Sequence, residues 1–199
     1  MVEVWAEGNV GAGGGAPAVA SAMRHGILED AGQIAADGVT LSVLPPVHRV
    51  SLRARPDAVD ALNRRLSIGL PTRPKSSARE GSLAALWLGP DEWLLLDGER
   101  DPNETLRGEN ALHSAVDVSH RNLALEVSGR FAAQALSAGC PQNLSAETFP
   151  VGACSRTILG KAEIVLWRTE QETFRVECWR SFAPYVHTFL SEAVRDAAL

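Results

Sequence analysis

The sequence predicts an α+β fold made of two related β-α-β-β-α halves, each an antiparallel sheet with helices packed against it. Three observations predict it. Residues alternate apolar and polar at 50–55 and again at 123–128, the period of a half-buried strand. The order of elements after each of these strands is the same. The chain closes on an amphipathic stretch, "SFAPYVHTFLSEAVRDA", with an apolar stripe at helical spacing.

Residues 1–38 stand apart. "GNVGAGGGAPAVASA" is rich in Gly and Ala and poor in large side chains, so it cannot bury enough surface to offset its ordering entropy. It is expected to be a flexible arm. The first subdomain is expected over 39–115, with compact structure beginning at "GVTLSVLPPVHRVSLRARPDAVDALNRRL". Val50, Leu52 and Ala54 alternate with Ser51, Arg53 and Arg55 in a strand. Pro56 and Asp57 open a helix whose Val59, Leu62 and Leu66 share one face. The Pro-rich "LPTRPKSSAREG" reads as a loop. "SLAALWLG" and "EWLLLDG" are strands around the turn "GPD", and "DPNETLRGENALHSA" reads as a helix.

The second subdomain is expected over 116–199. Leu123, Leu125 and Val127 alternate with Ala124, Glu126 and Ser128, and Gly129 ends that strand. "RFAAQALSAG" is a helix and "CPQNLSAETFPVG" a loop. "ACSRTILG", "KAEIVLWRT" and "TFRVECWR" are strands, the last with Phe174, Val176 and Cys178 on one face. In the final helix Ser181 suits the cap and Pro184 the first turn.

Composition narrows the function. The 199 residues carry a formal net charge of -5, which offers no basic surplus for a phosphate backbone. No apolar run is long enough to span a bilayer. The first residues lack a charged region followed by an apolar one, so no secretory leader is expected. Cys140, Cys154 and Cys178 are odd in number and show no CxxC spacing, as buried thiols in a reducing compartment would. The cytoplasm is the expected location.

Several patterns offer chemistry. In "VDVSHRNLALEVSG", Asp117, Ser119 and His120 are the residue types of a hydrolase triad. In an extended chain Ser119 and His120 point to opposite faces, so these three alone cannot form one. Backbone bonding by Asp117 and Ser119 is the simpler expectation. Gly11, Gly13 and Ala16 have a dinucleotide-loop spacing, with Glu29 or Asp30 beyond, yet no strand of quality precedes them. His25, His48, His113, His120 and His187 show no metal-ligand spacing. Asp91 and Glu92 are adjacent carboxylates, and turn hydrogen bonding is expected of them. Trp93 and Trp179 are candidates for fold marker or interface. The strand face of Trp179, opposite Phe174 and Val176, is expected to be covered by a helix or a partner.

"DVSHRNLALEVSGRFAAQALSAGCPQNLS" resembles the folate-binding domain of the glycine-cleavage aminomethyltransferase (T-protein) family, with Asp117, Ser119, His120, Gly129 and Asn143 in the matching places. "GVTLSVLPPVHRVSLRA", "LWLGPDEWLLL", "VDVSHRNLALEVSG" and "ECWRSFAPYVHTFL" are more closely similar to the gamma subunits of heterotetrameric sarcosine oxidases, as is the loop "FPVGACSRTILGKAEIVLWR". The resemblance implies a T-protein folate-binding-domain-like shape. It departs where the aminomethyltransferases carry an acidic catalytic run: Gly160 and Lys161 stand at that turn with no Asp following, and Cys154 does not match the motif of iron–sulphur-repair relatives. No catalytic, cofactor-binding or metal residue is therefore carried over.

The implied role is a structural, non-catalytic subunit of a complex that demethylates sarcosine oxidatively. Its products are glycine, hydrogen peroxide and formaldehyde, or methylene-tetrahydrofolate when folate is present. FAD, FMN, NAD, zinc and tetrahydrofolate would sit in other subunits. The implied partners are alpha, beta and delta, with alpha in direct contact. The arm, the loop "LPTRPKSSAREG" and the outer tryptophans are contact candidates. A stand-alone folate-binding aminomethyltransferase-like protein is the alternative, and a free-standing binding module a third.

Overall fold

The computed structural model describes residues 27, 28 and 30–198. Gly11, Gly13, Ala16, Trp5, His25 and Glu29, and most of the expected arm, lie outside them. In chain order the elements are β1 (Ile34–Ala36), β2 (Val39–Val43), β3 (His48–Ala54), α1 (Pro56–Leu66), β4 (Ser77–Glu80), β5 (Leu83–Gly89) and β6 (Glu92–Asp97). Then come α2 (Pro102–Leu106), β7 (His113–Asp117), β8 (Asn122–Ser128), α3 (Ala132–Ser137), β9 (Cys154–Leu159), β10 (Ala162–Glu170), β11 (Thr173–Trp179) and α4 (Ala183–Ala197).

The strands form two antiparallel sheets, ordered β4-β5-β6-β3-β7 and β1-β2-β8-β11-β10-β9. Each half runs β-α-β-β-β-α: β3 to α2 in the first, β8 to α4 in the second. The strand leading each half crosses over. β2 precedes β3 but pairs with β8, and β7 precedes β8 but pairs with β3. The crossovers are made alike: Leu44 N–H bonds the Ala124 carbonyl at 2.9 Å, and Val118 N–H bonds the Arg49 carbonyl at 2.9 Å. The cut expected near residue 115 therefore divides the order of elements, while the sheets exchange strands across it.

Four layers result. α1 and α2 cover the outer face of the first sheet around Val50, Leu52, Trp93 and Leu95. α3 and α4 cover the outer face of the second around Leu125, Leu166, Phe174 and Val176. The inner faces meet through Leu86, Leu94, Cys154, Val165 and Trp167. β6 is buried along its whole length, which explains its unbroken apolar run.

Some local expectations change. β4 lies inside the stretch read as a loop, and β1 lies inside the expected arm. Of "DPNETLRGENALHSA" only Pro102–Leu106 is helical, capped by Asp101, whose carboxylate accepts the Asn103 N–H. Its last three residues begin β7. Ser181 does not cap α4: a 3-10 turn over Arg180–Phe182 leads into the helix, and Pro184 occupies its first turn.

Candidate functional site

The polar residues singled out in the sequence gather on the crossover and on the seam between the sheets. Asp117 ends β7, and its Oδ1 accepts the Ser119 N–H at 2.8 Å. The hydroxyl and N–H of Ser119 hold the Asp117 carboxyl below its ordinary pKa. The Ser119 hydroxyl in turn accepts the Arg49 N–H at 2.9 Å. Asp117 and Ser119 are thus occupied by local and cross-strand bonds that fix the crossover, and His120 is exposed beside them. Asn143 likewise caps a turn, with its Oδ1 accepting the Ser145 N–H at 2.9 Å.

Two ion clusters pin the inner faces together. Arg49 on β3 reaches across the seam to Glu177 on β11, Nε to Oε2 at 2.7 Å, with both side chains at most 2% exposed. Arg175 Nε adds a bond to Glu177 Oε1 at 2.8 Å. Glu92, opening β6, pairs with Arg53 at 2.8 Å and with Arg156 on β9 at 2.5 Å. Burial raises the Glu92 pKa, but the hydrogen bonds and charges of Arg156 and Arg53 outweigh it and the net direction is down. Glu92 is therefore an inter-sheet ion-pair residue rather than a turn residue. Asp91 stays exposed in the turn, where its carbonyl accepts the Ala54 N–H at 3.1 Å.

Trp93 is 1% exposed and donates its indole N–H to the Pro71 carbonyl at 2.7 Å, so it marks the core and offers no surface. Trp179 is 41% exposed at the end of β11. The strand face it shares with Arg175 and Glu177 turns toward the first sheet, which covers Glu177 and leaves Trp179 part-exposed at the rim. Its ring packs on Phe182 with centroids 6.1 Å apart, under the Arg121 guanidinium at 5.1 Å.

The sequence reading did not anticipate Arg49, Glu177 or Arg156. A local signal existed for Glu177 alone, which sits between the core residues Val176 and Cys178; Arg49 follows the exposed His48, and Arg156 lies between the polar Ser155 and Thr157.

The seam opens at two places. One is a cleft of about 570 Å³ where the sheets diverge, lined by Leu44, Arg79, Asp97, Glu126, Trp167 and Arg175, among others. The other is a slot of about 30 Å³ lined by Glu92, Arg121, Arg156, Glu177 and Trp179, among others. Among the described residues no group of three or more His, Cys, Asp or Glu is placed to hold a metal. Cys140, Cys154 and Cys178 are buried and unpaired, and burial pushes the Cys154 and Cys178 thiols up to about 12. At neutral pH those two are protonated and poor nucleophiles. The arrangement couples two sheets through ion pairs and backbone bonds.

Comparison with known proteins gives a consistent picture. The model of the sarcosine oxidase, gamma subunit family matches residues 52–196. Sarcosine oxidase subunit gamma of Corynebacterium sp. (strain U-96) is 32% identical over 187 residues, 90% of this chain and 89% of the relative. The same subunit of Arthrobacter sp. is 31% identical over 172 residues, 82% and 83% of the two chains. A chain of the heterotetrameric sarcosine oxidase from Corynebacterium sp. U-96, solved in complex with pyrrole 2-carboxylate, superposes with a TM-score of 0.78 at 30% identity. That match covers 84% of this chain and 89% of that one. The glycine cleavage system aminomethyltransferase T of Bartonella henselae shares the fold, with a TM-score of 0.60 at 14% identity over 81% of this chain and 49% of that one.

Proposed function

Because the chain belongs to the sarcosine oxidase gamma subunit family, we propose that it is a structural, non-catalytic subunit of a heterotetrameric sarcosine oxidase. The assembly demethylates sarcosine oxidatively to glycine, releasing hydrogen peroxide and formaldehyde, or methylene-tetrahydrofolate when folate is present. The chain contributes a T-protein-like shape. FAD, FMN, NAD, zinc and folate belong to the other subunits, alpha is the subunit in direct contact, and the assembly works in the cytoplasm. Residues 39–115 and 116–199 act as two subdomains locked by their exchanged strands; β1 joins the second sheet, so only the part of the expected 1–38 arm ahead of it is offered for contact.

One observation carries the non-catalytic part of this reading. Polar groups that would serve chemistry are taken up in bonds internal to the chain: Ser119 by the Arg49 backbone, Glu92 by Arg53 and Arg156, and Glu177 by Arg49 and Arg175.

The test is a pull-down of tagged chain from its own cell, read by flavin absorbance and sarcosine-dependent peroxide release. Recovery with flavin-bearing subunits is expected. Recovery alone, with tight tetrahydrofolate binding, would favour the stand-alone aminomethyltransferase-like alternative.

A further inference from the structure

Five of the eight large apolar side chains exposed among the described residues lie at one end of the seam: Val116, Ile158, Trp179, Phe182 and Tyr185. Strand register puts them there. Trp179 stands opposite Asn122 and one step past the Ile164–Cys178 pair, which sets it beside Glu163; Glu163 in turn pairs with Ile158. These three share the inner face of the second sheet with Val165, Arg156 and Glu177, but at its rim, where the first sheet no longer covers it. Val116 pairs with Ser51, which lines the same slot as Trp179. Phe182 stacks on Trp179, and the Tyr185 hydroxyl accepts the Lys161 N–H at 3.1 Å at the turn just beyond Ile158. The slot between them, about 30 Å³, is too small for an organic ligand. What is left is an apolar ledge.

Its rim is cationic on an acidic chain. Arg53, Arg121, Arg156, Lys161 and Arg180 surround it, against Asp91, Glu92 and Glu163; Glu92 is already shared by two of the arginines, and Glu177, which also lines the slot, is buried and balanced by Arg49 and Arg175. The chain as a whole has 24 acidic and 19 basic residues. Asp117 lies on the opposite face of its strand from Val116. Exposed Trp, Tyr and Arg together are the residue types that anchor protein interfaces.

We propose that this ledge docks a carboxylate-bearing, apolar segment of another subunit of the oxidase. The proposal rests on the reading of the chain as an oxidase subunit. Trp179 and Phe182 supply the apolar anchor, and Arg121, held over the Trp179 ring, presents its charge beside it.

The test uses the intact complex carrying Trp179→benzoylphenylalanine. Photo-crosslinking is expected to join Trp179's position to an acidic, apolar stretch of another subunit. Cross-links to residues 1–26 of this chain, to a second copy, or to no protein overturn the proposal. Alongside, the Trp179→Ser/Arg121→Glu double variant should lower retention of the chain in the purified complex by about tenfold or more. Val151→Ser, also an exposed apolar residue but in the turn ahead of the other end of β9, should leave retention unchanged. If the wild-type chain copurifies and the double variant does too, the ledge is wrong while the subunit reading stands. If the wild-type chain copurifies with no flavoprotein, the subunit reading itself fails.

Discussion

At the scale of single residues, the protein is held by a few buried charges, each with at least one partner far away in sequence. Glu177 is 1% exposed and balances Arg49 and Arg175. Glu177→Gln leaves two guanidiniums without their counter-charge, and we expect a loss of about 3 kcal/mol in denaturant unfolding. A change below about 1 kcal/mol would show that the pair carries little of the coupling between the sheets. Glu92 gives a pH-dependent counterpart. Its folded pKa lies below its ordinary value, so its contribution is present above the unfolded value near 4.5 and is lost as pH falls through the lower folded one. Melting temperatures of wild type and Glu92→Gln should differ at pH 7 and converge as pH drops below about 4.5. A gap that stays constant down to pH 3 contradicts the assignment. None of this was legible in the sequence. Asp91 and Glu92 look alike as neighbours in a turn, and only the facing sheet, with Arg156, separates their roles.

Among the elements, the strands with clean alternation, β3 and β8, and the long apolar β5 and β6 were legible because local patterning alone places them. β1, β4 and β7 were not. They are short edge strands that lack a sustained alternation of apolar and polar residues, and pairing rather than pattern makes them strands. The exchange of β2 and β7 was equally hidden, since no local signal says which sheet a strand joins. The Asp-Val-Ser-His segment was legible as the start of the second half; its bonds to Arg49 reveal it as the crossover. Gly129 reports on this exchange. It sits at φ +112°, and a Cβ there would lie 2.3 Å from the Gly38 carbonyl oxygen, where the entrance to β2 meets the end of β8. Gly129→Ala should cost about 2 kcal/mol or more in thermal or denaturant unfolding. Wild-type stability in that variant would mean that the β2–β8 approach is looser than the structure has it.

For the whole molecule, four layers with exchanged strands make one unit out of two repeated halves, and the inner faces are occupied in joining them. That leaves the ends of the seam, the helices and the strand edges to meet other chains. Family membership and the T-protein-like architecture agree with the resemblance seen in "LWLGPDEWLLL" and "VDVSHRNLALEVSG". The docking ledge was only partly legible: Trp179 was a candidate, while Val116, Ile158 and Arg121 enter through register across two sheets. The most direct measurement is native mass spectrometry of the tagged chain purified from its own cell. The account predicts a four-subunit assembly that contains this chain and bound flavin and oxidises sarcosine. A chain recovered at its own mass of 21.3 kDa, with no flavoprotein attached, would contradict it.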